Sequence, residues 1–132
     1  MATYFGTSIN NSATIVLPVG NKIENVQGIA LSIKDGALAK PAKGENVIGI
    51  ALMTNEETVD KDDDVTVQIK EIGKWIAGDE IAVGDELTTD ANGFAVPAEA
   101  GDFITAVALS AASGAGTLVT CQFVKAGYKP VA

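Results

Sequence analysis

One supersecondary unit occurs twice in this chain, and that repetition limits the fold more than any other feature. Gly84 to Leu109 reads as three short strands joined by two turns, Asn92-Gly93 and Gly101-Asp102. An earlier stretch repeats the plan: Leu31, then Asp35-Gly36, Ala39-Lys40-Pro41-Ala42, Gly44-Glu45 and Val47 to Leu52. Val65-Thr66-Val67-Gln68-Ile69 recurs as Val119-Thr120-Cys121-Gln122-Phe123, and Gly73 recurs as Gly127, both at an offset of 54. Leu31 and Leu87 lie 56 apart, and Ala51 and Ala108 lie 57 apart. The drift falls in turns, where insertions are tolerated, so the strands are the fixed part.

The local signals are those of strands. Gly accepts φ > 0 without steric cost, which makes Asp35-Gly36 a hairpin signal. Val47 to Met53 is a nearly continuous apolar run, as in a strand buried on both faces. Val65 to Ile69 alternates with period two. Gln68 and Gln122 share their faces with threonine, and those faces either bond to a turn backbone or, as is favoured, point to solvent. Asp, Gly, Thr and Val interrupt every window that could hold a long helix. Short strands with frequent turn signals predict an all-β fold, a small β-barrel or sandwich of two similar units of about 55 residues. Residues 1–19 read as an extended N-terminal arm and first strand. Residues 20–132 read as one β-barrel domain, with repeat units at about 20–73 and 78–127. Either unit alone would be marginal by surface-to-volume scaling, so the two are expected to share a core.

Composition excludes several functions. The chain of 132 residues has 17 Asp and Glu against nine basic residues, all lysine, for a net charge of −8. Clustered Lys and Arg are needed to neutralise phosphates, so direct nucleic-acid binding is not expected. No apolar run approaches the ~20 residues that span a membrane, and no signal peptide opens the sequence. A cytosol-like site of synthesis is expected. The chain has no His, which removes the commonest general base and a usual zinc ligand. No nucleophile elbow or P-loop is present. The pairs Asp79-Glu80, Asp85-Glu86 and Glu99 with Asp102 sit in turns, where carboxylates solvate and cap the backbone. No catalytic residue, cofactor or metal ligand is assigned. The acidic stretch from Glu56 to Asp64 lacks the glycine spacing of an EF-hand and reads as a solvated loop, with a weak divalent-cation site as the alternative. Cys121 reads as a small residue on the buried face of a strand.

Met1 to Ser12 carries Tyr4, Phe5 and Ile9 among small polar residues. It is either a terminus ordered only locally or an arm that docks its aromatics on a neighbour. Trp75, the only tryptophan, reads as packing in the core or at a subunit interface, and with it these residues are the candidate contacts to a partner or another subunit.

The segments Ala82-Val83-Gly84-Asp85, Asp90-Ala91-Asn92-Gly93, Ala95-Val96-Pro97-Ala98, Ala100-Gly101-Asp102 and Ala106 to Ala112 carry a resemblance. Over residues 65–127 the chain resembles tailed-phage capsid decoration proteins, also called cement or head-stabilising proteins, whose related forms are head fibre proteins. The resemblance implies a small β-barrel on the outer capsid surface of a virion, bound to the major capsid protein, commonly as a homotrimer and without enzymatic activity. A second reading is a surface-displayed carbohydrate- or cell-surface-binding module. Such modules need an aromatic platform, and aromatics make up only 5% of this chain.

Overall fold

The computed structural model describes residues 13–131. Among them are ten strands and no helix. The first five are β1 (Thr14–Pro18), β2 (Ala30–Lys34), β3 (Ala37–Ala39), β4 (Gly49–Ala51) and β5 (Asp64–Gln68). The second five are β6 (Ile72–Ile76), β7 (Glu86–Thr89), β8 (Ala95–Pro97), β9 (Phe103–Ala108) and β10 (Leu118–Tyr128). Each set forms one five-stranded sheet, with orders β1-β5-β4-β2-β3 and β6-β10-β9-β7-β8. Adding five to each number of the first order gives the second. All the ladders within both sheets are antiparallel. The duplicated all-β architecture expected from the sequence is therefore the one observed, and the sheets remain open.

The repetition extends to single hydrogen bonds. A lone parallel bridge, Val19 to Leu38, draws together the two edges of the first sheet, and Ala77 to Ala95 does so in the second. Gly20 N–H donates to the Leu38 carbonyl at 3.0 Å, and Gly78 N–H donates to that of Ala95 at 2.8 Å. The antiparallel bridge Ile23 to Val59 has its counterpart in Ile81 to Ala112. Glu71 and Lys125, again 54 apart, both adopt positive φ. Beyond that kink the copies part. The first copy crosses into β6 of the other sheet, whereas the second continues along β9.

Because each sheet curls on itself, the interior divides. One apolar cluster gathers Val19, Ile29, Leu31, Leu38, Val65 and Val67 of the first unit. The other gathers Trp75, Ile81, Leu87, Val119 and Cys121 of the second, with Ala30, Val47 and Ile50 borrowed from the first. Phe94 returns the exchange by packing on the first cluster. A single shared core was expected, and two interlocked ones are found. Val47 to Met53 also departs from expectation. Only Gly49–Ala51 is strand, and all three of these residues are buried. Ile48 and Leu52 each still donate one backbone bond, to Leu31 and Thr66.

The joint between the units centres on the turn at Asn92-Gly93. The Gly93 carbonyl accepts from Ala30 N–H at 2.8 Å and from the Trp75 indole N–H at 2.8 Å. Asp90 shapes the turn by accepting from the N–H groups of Asn92 and Phe94, both at 2.9 Å. Gly93 has φ +87°, and a Cβ there would lie 2.7 Å from the Ala30 oxygen and 3.0 Å from Ile29 Cβ. The matching hairpin glycine, Gly36, has φ +79° and open space around it.

These surroundings separate two substitutions that share a backbone conformation. Gly36→Ala should cost about 1 kcal/mol, the left-handed penalty alone. Gly93→Ala should cost about 2–4 kcal/mol, because overpacking adds to that penalty. Urea unfolding of both variants measures the difference, and equal losses would contradict the assignment of the joint.

Candidate contact surface

One carboxylate of each turn pair, Asp79, Asp85 and Asp102, is held by backbone, while Glu86 and Glu99 face Lys129 and Lys43. Asp85 accepts from Ala82 N–H at 2.8 Å, Asp102 from Glu99 at 2.9 Å and Asp63 from Asp60 at 2.9 Å. Glu45 accepts from Ala42 N–H at 2.9 Å and from the Ser32 hydroxyl at 2.7 Å. Each of the four backbone bonds closes a turn by reaching back three residues, the capping role expected of acidic turn residues, while the Ser32 bond ties Glu45 to β2. Burial pushes the Glu45 carboxyl up, but the bonds from Ala42 and Ser32 and the charge of Lys34 outweigh it and hold the group below its ordinary value. Among the described residues no group of three or more His, Cys, Asp or Glu could hold a metal ion. The Glu56 to Asp64 loop is exposed except for Val59, which turns inward.

Cys121 is fully buried in the second cluster, and its burial pushes the thiol up to about 11. Gln68 differs from the solvent-facing role expected of it. Its amide donates to the carbonyls of Lys70 at 2.9 Å and Ile72 at 2.7 Å, closing the turn between the sheets. Gln122 is exposed, as expected.

Two of the described lysines also tie the units together. Lys43 lies 3.3 Å from Glu99 and 3.5 Å from Asp102 of the other unit. The bond to Glu99, then the charge of Asp102, raises its pKa against a smaller opposing effect of burial. Lys125 donates to the Val47 carbonyl at 2.7 Å, and burial lowers its pKa.

Of the four candidate contact residues, Tyr4, Phe5 and Ile9 lie outside the described residues. Trp75 is fully buried, and its indole N–H bonds to Gly93. It presents no surface to a partner and fastens the units together instead. The sequence did not single out the exposed apolar residues that the fold does gather. A groove of about 270 Å³ runs between β4–β5 and β6, lined by Ile50, Leu52, Met53, Gln68, Ile72 and Lys74. Ile72 is 59% exposed and Met53 44%. Across β6 and β10, Ile76 pairs with Leu118, which is also exposed. The groove is apolar, and its lining carries one ammonium, that of Lys74, and no carboxylate. No described helix is long and apolar enough to cross a membrane.

Fold and surface together define a duplicated all-β module with an exposed apolar groove. No protein-family model matches the chain, and no curated protein sequence matches it. Among solved structures it is similar to the N base of the head fiber protein gp8.5 of bacteriophage phi29. The likeness has 25% sequence identity and a TM-score of 0.65, and covers 88% of this chain and 97% of that one. It supports a structural protein of a phage virion.

Two consequences can be measured. Cys121 should stay unlabelled by a thiol reagent at pH 8 in the native protein and react fully in denaturant, because burial withholds the thiolate. Glu45→Gln should lose about 1–2 kcal/mol at pH 7. A carboxyl whose folded pKa is lowered stabilises above its unfolded value and loses that contribution as pH falls through the folded one. The gap between wild type and Glu45→Gln should therefore close below about pH 4. Denaturant midpoints across pH test this, and a constant gap would contradict it.

Proposed function

We propose that this chain is a virion structural protein that binds the outer surface of a phage capsid and stabilises the shell. The observation that carries the reading is the likeness to a phage head fiber base over nearly the whole chain, at 25% identity. The resemblance of residues 82–112 to capsid decoration proteins supports the same reading. In it, the partners are the major capsid protein and further copies of the chain, with a trimer favoured. Tyr4, Phe5 and Ile9 supply contacts from the N-terminal arm.

The physical chemistry suits that task. A net charge of −8 keeps the free protein soluble and apart from packaged nucleic acid. Carboxylates committed to turns serve geometry, so no enzymatic step belongs to this reading. A glycan-binding module would use tryptophan as its platform, and the only tryptophan is buried.

Purified protein should cosediment saturably with capsids that lack it and raise the temperature at which they release their contents. Deleting residues 1–12 should weaken binding at least tenfold. Absence of cosedimentation by the intact chain would overturn the proposal.

A further inference from the structure

The described chain begins beside the exposed groove. Ala13 accepts a backbone bond from Ile69 N–H at 2.8 Å, and the neighbouring Gln68 and Ile72 line the groove. Thr14 pairs with Gln68, and Gln68 pairs with Ile50, so β1 enters on the same row of the sheet that floors the groove. Before Ala13 stand twelve residues holding Tyr4, Phe5 and Ile9 and no charged side chain. Extended, such a segment reaches about 40 Å. Its apolar side chains match a groove floored by Ile50, Leu52 and Ile72, and no acidic residue lines that groove.

Direction distinguishes the chain's own groove from a neighbour's. β1 runs antiparallel to β5, and at Ala13 it has passed Gln68 and lies opposite Ile69. Leu52 and Met53 lie the other way, where Leu52 donates to the Thr66 carbonyl. The line of β1 at Ala13 therefore points away from the Leu52–Met53 half of the chain's own groove.

From this geometry we infer that the groove formed by Ile50, Leu52, Met53 and Ile72 receives residues 1–12 of a second copy, with Tyr4 or Phe5 as the anchor. Each copy then gives an arm and receives one. Such a head-to-tail contact closes into a ring when its rotation permits. This inference rests on the homo-oligomer named above and identifies the surface that would form it.

Two variants separate the halves of the contact. Ile72→Asp keeps the arm and spoils the groove, and Ile72 is exposed enough for the fold to tolerate the change. Deleting residues 1–12 keeps the groove and removes the arm. In sedimentation velocity the intact chain should be oligomeric and each variant monomeric. The emission of buried Trp75 reports that both remain folded, and Met53→Asp serves if Ile72→Asp does not fold. Mixed, the two variants should associate one to one, since one supplies an arm and the other a groove. A monomeric intact chain, a variant that stays oligomeric, or two monomers that fail to associate on mixing would each overturn the inference. No capsid enters this experiment, so its failure is distinct from failure of capsid binding.

Discussion

The Gly93 carbonyl is the point through which the two halves of this protein depend on each other. It accepts one bond from the backbone of β2 and one from the indole of β6, and both donors are buried. Losing it would strand two buried donors at once, each costing about 1–3 kcal/mol. Positive φ at Gly93 aims the carbonyl inward, and absence of a side chain lets the turn lie against Ile29 and Ala30. Phe94, next in sequence, then packs on the first cluster, while Ala30, Val47 and Ile50 pack on the second. Two units that would be marginal alone thereby bury apolar surface in each other.

Duplication and divergence are both visible in this joint. The strand orders, the edge-to-edge bridges and the turn carboxylates Glu45 and Asp102 repeat from one unit to the other. The hairpins do not share a role. Asp35-Gly36 stands in open space, and Asn92-Gly93 is wedged into the neighbouring unit. One copy of the turn has become a fastener and the other has stayed a loop. Lys43 with Glu99 and Asp102, and Lys125 with Val47, add polar ties across the same boundary.

Much of the fold was legible because its signals are local. Asp35-Gly36, Gly44 and Gly101 mark backbone that must turn, and the alternation of Val65 to Ile69 marks one buried face. What stayed hidden is non-local. Ile72-Gly73-Lys74-Trp75-Ile76 and Thr14 to Pro18 occupy equivalent edge strands with no residue in common at matching positions. Only the pairing of β6 with β10 and β1 with β5 reveals the equivalence. A lone tryptophan shows equally little of its side of the surface, and its partner is a backbone carbonyl that no residue type announces. The groove was illegible for a similar reason: Met53 and Ile72 are far apart in sequence and meet only where the chain crosses between sheets.

A virion structural protein needs a body that carries load without coming apart, and one that unfolds as a single unit meets that need. In this molecule the property rests on Gly93 and its two donors. Native-state hydrogen exchange of the Ala30 amide and the Trp75 indole N–H tests this most directly. Both protons should exchange only through global unfolding, with the same free energy as core amides such as Val67 and Val119. Exchange of either proton through a low-energy local opening, while both cores stay protected, would contradict it.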